Sequence, residues 1–187
     1  MIPDVSKLLP KLETMTISNK NGFKDTNLLM VGKQVVQIDG LVTDATIPME
    51  RLVARLDVYM FKSRRLENNT VILKSIELVN QITNTRGEYQ NTIMVSPVET
   101  QNDLRTISSN NVLGVMSDDM SGIIPANATE SFYSYQNIAA SADPDPNVTP
   151  YLLITADIDG VSHRYKGYST DNGQTTDKYT LKRTPVY

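Results

Sequence analysis

The clearest alternation of apolar and polar positions runs from residue 151 to residue 166, on both sides of Asp159-Gly160. An Asp-Gly pair favours a two-residue type I′ turn, because both turn positions need positive φ. Closing this turn places Ile158 opposite Val161 and gathers the apolar residues on one face. The pattern therefore predicts a β-hairpin with one buried face. Its predicted core lining is Leu152, Ile154, Ala156, Ile158, Val161 and Tyr165.

A second alternating stretch, Arg51 to Met60, predicts another strand. Its predicted core lining is Leu52, Ala54, Leu56, Val58 and Met60. The expected partner is Val71 to Ile82, reached through the polar turn Lys62 to Thr70. Within that partner, Val71 and Leu73 are out of phase with the later apolar positions, which indicates a bulge.

Shorter patterns indicate further strands, and the segment from Glu99 to Ala128 is interpreted as a loop. These weaker strand candidates are Gln34 to Ile38, Leu41 to Ile47, Tyr89 to Val95, Ser131 to Gln136 and Lys178 to Leu181. About seven short strands without a long amphipathic helix are typical of an all-β antiparallel sandwich. We expect this domain to span residues 31–187, with residues 1–30 an irregular N-terminal extension or the remnant of a preceding domain.

Composition narrows the possible functions. The chain has 187 residues, enough to bury a large core, and no cysteine, which excludes disulfides, thiolate metal sites and cysteine nucleophiles. The formal net charge is -3 and the charges are scattered. The densest basic cluster, Lys62 to Arg65, is interpreted as a solvated turn, so no nucleic acid is expected as a partner. No apolar run approaches the roughly 18 residues of a membrane span.

Candidate chemistry is sparse. The single histidine, His163, lies on the apolar face of the hairpin and is interpreted as a packed core or edge residue. Residues 143–147 imitate the first ligands of a calcium loop, but Val148 and Ile154 occupy the positions of its glycine and closing glutamate. We therefore predict no catalytic residue, no metal ligand and no cofactor, and we expect the protein not to be an enzyme.

Tyrosine is abundant, with nine residues, whereas tryptophan is absent. Tyr133, Tyr135 and Tyr168 form a possible ligand platform for sugars, because aromatic rings stack on apolar sugar faces. The alternative is that tyrosine occupies half-buried strand positions, as it commonly does in sheets.

Several segments, taken in order, resemble the fimbrillin family, the pilus subunits of Bacteroidales. These segments are Leu29 to Gly32, Ile47 to Val58, Val71 to Asn80, Phe132 to Asn137, Tyr151 to Tyr165 and Leu181 to Tyr187. The resemblance implies a transthyretin-like sandwich, the C-terminal of the family's two domains. The sequence departs from the family pattern at Gln136 and Thr184, where the family usually has glutamate and asparagine.

The resemblance also implies a function. Members of the family are extracellular subunits of an outer-membrane-associated cell-surface fimbrium, active in cell adhesion and joined by strand exchange with subunits of the same or a related type. Their lipoprotein precursors are trimmed at an arginine, which we assign to no residue here, and the lipid-attachment cysteine has no counterpart.

In the family a closing strand would follow Tyr187. We therefore expect an open groove that a strand from another subunit fills, because unpaired strand edges template further strands. The alternative is a surface glycan-binding module or tip adhesin, whose partners would be host or bacterial surface glycans or proteins.

Overall fold

The computed structural model describes residues 8–19, 23, 28–38, 40–41, 44–87, 98–107, 111–116, 129–136 and 148–167. This part of the chain is an all-β antiparallel sandwich, as the sequence predicted, with ten strands where about seven were expected. The elements are α1 (Leu8–Thr14), β1 (Thr16–Ser18), β2 (Met30–Gly32), β3 (Met49–Arg51), β4 (Val53–Val58), β5 (Val71–Ile82), β6 (Asn84–Arg86), β7 (Thr100–Thr106), β8 (Glu130–Tyr135), β9 (Tyr151–Ile158) and β10 (Val161–Gly167).

The largest sheet has the strand order β10-β9-β5-β7. Its β9–β10 hairpin confirms the predicted register, since Ile158 faces Val161 and Ile154 faces Tyr165. Asp159 and Gly160 have φ of 49° and 84°, the positive values that a type I′ turn requires.

The central strand β5 carries the predicted bulge, because its register with β9 shifts between Leu73 and Ser75. A second shift, between Leu78 and Gln81 against β7, accompanies a positive φ of 57° at Asn80. Such bulges bend a strand and increase its twist. The long β5 can therefore serve both the core and the β8 strand, whose Ser134 hydroxyl accepts the Ile82 N–H at 2.9 Å.

The prediction for Arg51 to Met60 was wrong in two respects. A bend at Leu52 divides the stretch into β3 and β4, and the strand ends at Val58. Its partner is β8, with Leu56 opposite Phe132, and not the Val71 to Ile82 strand. The turn between β4 and β5 contains a 3-10 turn at Arg64–Leu66 and carries the chain from one sheet to the other instead of closing a hairpin.

Two short ladders complete the described fold. β2 pairs with β3, and β1 pairs with β6, so residues 16–18 are hydrogen-bonded to a strand of the main domain. The domain division at residue 30 stays a prediction.

The weaker strand predictions had mixed outcomes. The Ser131 to Gln136 strand is confirmed as β8, whereas no described residue of 34–38 or 41–47 belongs to a strand. The loop interpretation of residues 99–128 was wrong for β7, a largely polar strand that the β5 ladder holds in place. Residues 89–95 and 178–181 lie outside the described residues.

Two apolar clusters form the described core. The larger cluster fills the space between the two main sheets, with Leu73 and Ile76 of β5, Val58 of β4, Phe132 of β8 and Ala156 of β9. The smaller cluster joins Leu52, Val53, Ile82, Tyr133 and Tyr135, and Val31 of β2 packs against it. Strand β8 is buried on both faces because each face packs on a different cluster.

Candidate functional site

Burial falls steadily across one half of the large sheet. Leu73 and Ile76 on β5 are fully buried, the β9 side chains other than Ala156 are half-buried, and β10 is exposed from residue 161 to residue 166. The second sheet, β4–β8, thus covers β5 and part of β9 but leaves β10 uncovered. Among the described residues, no strand lies against the inner face of β10 or pairs with its outer edge.

Exposure at β10 corrects part of the predicted core lining. Val161 is 60% exposed and Tyr165 is 47% exposed, although both share a face with the half-buried residues of β9. Leu52, Ala54 and Val58 on the β4 side are buried, with Leu56 and Met60 partly buried. Leu152, Ile154 and Ile158 are also partly buried, and Ala156 is buried. Alternation correctly identified which residues of β9 and β10 share a face, but the second sheet does not reach β10. On the β4 side, Leu52 packs in the smaller core cluster, whereas Val58 packs in the larger one.

A groove of about 250 Å³ lies where the inner face of the hairpin meets the end of β4. Its walls are mostly apolar: Met60, Phe61, Lys62, Ser63, Leu66, Val71, Leu113, Ile154, Ala156, Ile158 and Tyr165. A mostly apolar concave surface next to an uncovered strand face is suited to bury further apolar side chains. We call this surface, together with Val161, the β10 groove.

The wall of the β10 groove formed by residues 60–66 is held in place by hydrogen bonds. The Lys62 ammonium donates to the backbone oxygens of Glu67 at 3.0 Å and Asn69 at 2.8 Å, closing the turn on itself. The Lys62 N–H donates to the Gly114 oxygen at 2.9 Å, and the Met116 N–H donates to the Lys62 oxygen at 3.0 Å. The wall is therefore anchored on two sides.

The hairpin tip is anchored to the same turn. The Asp159 carboxylate accepts the side-chain amide of Asn69 and the N–H of Thr70, the latter at 2.8 Å, and the Asp159 N–H donates to the Thr70 oxygen at 2.9 Å. The bond from Asn69, followed by that from Thr70, holds the pKa of Asp159 below its usual value, because both stabilise the ionised form. Hairpin and wall thus form a single braced rim around the β10 groove.

The opposite edge of the sheet is built differently. Strand β7 is polar except for Leu104, and Arg105 pairs with Asp103 at 3.0 Å on the same strand. The Arg105 guanidinium also lies 5.8 Å from the centre of the Phe132 ring, so β7 contacts the second sheet. A covering layer protects a sheet edge against further strands, whereas charge does not distinguish these two edges, because β10 carries Arg164 and Lys166. Of these two edges, β10 is the one whose inner face is uncovered.

The possible ligand platform of tyrosines is wrong for two of its three residues. Tyr133 and Tyr135 are buried on β8, and the Phe23 ring packs edge-on against Tyr135 with centroids 5.0 Å apart. Burial raises the pKa of Tyr135 to about 12, and its hydroxyl has no hydrogen-bond partner among the described residues. Tyr168 lies outside the described residues. Neither Tyr133 nor Tyr135 can present its ring to a sugar.

The remaining candidate features are the single histidine, metal ligands and membrane-spanning helices. His163 is exposed on the edge strand β10, and its ring stacks on Tyr165 with centroids 6.3 Å apart. In the part of the chain that the structure describes, no three acidic or histidine side chains gather where they could hold a metal ion. Among the same residues, no helix has the length and apolar character needed to cross a membrane.

Sequence patterns missed one wall of the β10 groove. Leu66 and Leu113 belong to segments interpreted as polar turn or loop, and Phe61 lies between the predicted strand and the predicted turn, yet all three line it. A signal was available at Leu66, an isolated apolar residue within a polar segment, which in an exposed turn has no packing reason of its own. Comparisons of the chain with protein-family models, with curated proteins and with solved structures found no match.

Proposed function

We propose that this chain is a structural subunit of a cell-surface fimbria, extracellular and associated with the outer membrane, and that it acts by assembly and not by catalysis. Its partners would be subunits of the same or a related type, joined by exchange of a β-strand. The observation that carries this proposal is the β10 groove, where one sheet extends beyond the sheet that should cover it.

The physical case rests on what an inserted strand would gain. Val161 and Tyr165 would become buried, and the half-buried Ile154 and Ile158 would lose their remaining exposure. Complete burial of such a side chain contributes about 1.5–3 kcal/mol. Several such contributions, together with backbone hydrogen bonds, could hold subunits together without covalent links.

The resemblance to fimbrillins supports the same proposal independently, because strand exchange is how that family is expected to assemble. The transthyretin-like topology and the adhesive role belong to the proposal as well. No observation among the described residues favours the glycan-binding alternative, since two of its three tyrosines are buried.

The test is to look for the chain in surface filaments of the organism that encodes it. We expect antibodies against the chain to label filaments on intact cells, and we expect deletion of the gene to remove the labelled filaments. Complementation with Tyr165→Asp should fail to restore them, because a carboxylate would enter the apolar groove. Complementation with Leu104→Asp, on the opposite edge, should succeed. Surface filaments that lack the chain, or its absence from the cell surface, would contradict the proposal.

A further inference from the structure

One exposed segment of the chain has apolar side chains with no core to cover. We define the arm as residues 33–38, 40–41 and 44–48, which follow β2 and precede β3. Val35 is 86% exposed and Ile38 is 79% exposed, and Leu41 and Ile47 are exposed too. Single exposed apolar residues are ordinary, but several within one segment mark an interaction surface.

The base of the arm is fixed even though its apolar side chains are exposed. The β2–β3 ladder pairs Met30 with Arg51 and Gly32 with Met49, and Val31 packs on the smaller core cluster. A Cβ added at Gly32 would lie within 3 Å of the Met49 sulfur and the Pro48 oxygen, so the two paired strands approach each other closely there. The arm therefore leaves the body as a pair of adjacent chain segments held together at their root.

The pattern of the arm is that of a strand pair. Residues 34–38 and 41–47 each satisfy the residue preferences of strands, and Asp39-Gly40 between them is a preferred hairpin turn. No described residue in these ranges belongs to a strand. An isolated two-stranded hairpin is at best marginally stable, so this segment needs a third surface before its ladder can form.

We propose, on the basis of the proposed function, that the arm of one copy of this chain inserts into the β10 groove of a second copy. The arm supplies exposed apolar side chains, and the groove supplies an uncovered apolar face. The charged residues of β10, Arg164 and Lys166, alternate with Val161 and Tyr165 and therefore lie on the opposite face of the strand, which leaves the groove side apolar.

Placement of the two surfaces separates the root of the arm from the groove of the same chain. The root of the arm precedes β4, and the groove begins just after β4, at Met60. Six residues of β4 separate them by roughly 20 Å at ~3.3 Å per residue. An arm that filled its own groove would have to fold back along β4. Different surfaces at the two ends of a subunit make a head-to-tail contact, which propagates into a filament when it does not close.

Absence of cysteine from the sequence allows a direct test by cross-linking. One full-length variant would carry Ile38→Cys in the arm and a second would carry Tyr165→Cys in the groove. Oxidation of an equimolar mixture should give a covalent heterodimer about tenfold in excess of the control mixture, Ile38→Cys with Leu104→Cys. Leu104 is a matched control because it is 58% exposed on β7, the other edge of the same sheet.

The doubly substituted chain, Ile38→Cys with Tyr165→Cys, distinguishes an arm that fills the groove of its own chain from an arm that fills the groove of another copy. Monomers that cross-link internally, or a mixture with no excess over the control, would overturn the inference, and the first result would show an arm that fills its own groove. Disulfide-linked ladders of increasing length are expected instead.

Association without cross-links provides the second measurement. The double variant Val35→Asp/Ile38→Asp and the variant Tyr165→Asp should each lower self-association about 100-fold in sedimentation velocity, because each places a carboxylate in an apolar contact. Mixed, the two variants retain one intact groove and one intact arm, so they should form a 1:1 heterodimer and nothing larger.

Each remaining outcome is decisive. If the arm variant assembles like the unmodified chain, another segment is the donor, and the inference fails while the proposed function stands. If the unmodified chain never self-associates, the inference fails and the proposed function loses its support. If the chains join by their arms in solution but no surface filament contains them, the inference stands and the proposed function fails.

Discussion

Two stretches of this chain place an Asp-Gly pair between segments with the residue preferences of strands, and the described residues form a hairpin around only one of them. Around Asp159-Gly160, the β9–β10 ladder joins seven residue pairs. Around Asp39-Gly40, the described residues of 34–38 and 41–47 belong to no strand. The turn residues are the same, so the turn alone does not explain the difference.

The neighbours of each stretch explain it. β9 pairs along its other edge with β5 at eight positions, and its apolar residues pack on the larger core cluster. The tip of this hairpin is also bonded to Asn69 and Thr70. No described strand lies beside the arm. A local pattern thus supplies a preference for hairpin structure, and a third strand converts the preference into a stable ladder.

The largest expected effect comes from weakening that third strand. Ile76 is fully buried on β5, opposite Ile154 of β9, so Ile76→Ala should lower the free energy of unfolding by about 2–5 kcal/mol through lost burial and a residual cavity. Ile38→Ala in the arm is the matched control and should change it by less than about 0.5 kcal/mol. Urea titration at a protein concentration below self-association measures both. Equal losses would mean that the arm packs on the body in the free subunit.

The two turn glycines should respond with opposite signs. Gly160 has a φ of 84°, so Gly160→Ala should cost about 1–2 kcal/mol because an L side chain is strained there. No atom lies within 4 Å of an added Cβ at Gly40, and no described residue of 34–38 or 41–47 belongs to a strand, so Gly40→Ala should stabilise the free subunit by about 0.4–1 kcal/mol, by restricting the unfolded chain. The same urea titrations measure both changes. A cost at Gly40 similar to that at Gly160 would show that the arm already forms a type I′ turn before it binds.

Sequence patterns predicted the parts of the fold that depend on nearby residues. The β9–β10 register follows from two-residue alternation and from a turn with a strict φ requirement, and the β5 bulge follows from a phase change within one strand. Pairing of β4 with β8 could not be predicted, because its partners lie far apart in sequence and alternation fits any apolar neighbour. Strand β7 could not be predicted either, because it has no apolar alternation. Backbone hydrogen bonds to β5 fix its place in the sheet.

The candidate site lies where alternation stops being informative. Alternation shows that Val161 and Tyr165 share a face with Ile154, but it cannot show whether another sheet reaches that face. It likewise could not show that Tyr133 and Tyr135 are buried, because β8 packs one face on each of two clusters. In both cases the missing information is the lateral extent of the opposite layer, a property of tertiary packing.

The smallest expected effect tests the anchor of the hairpin tip. Hydrogen bonds from Asn69 and Thr70 lower the pKa of Asp159 in the folded state, so the folded state binds this proton less readily than the unfolded chain. The resulting stability is present above the unfolded value of about 3.9 and is lost as the pH falls through the lower folded value. Asp159→Asn should therefore differ most from the unmodified chain near neutral pH and converge with it in acid.

Urea titrations at intervals from about pH 7 down to about pH 2 would measure this difference curve, since they span the titration of aspartate. Asn69→Ala is the matched variant, because it removes one donor to Asp159 and leaves the Thr70 bond. Its loss of stability on acidification should therefore be smaller than that of the unmodified chain but larger than that of Asp159→Asn. Asp159 is exposed, and solvent screening therefore keeps the effect below those of Ile76 and Gly160. Parallel curves for all three chains would mean that the tip bonds add nothing measurable. The contrast with the arm would then rest on the β5 ladder alone.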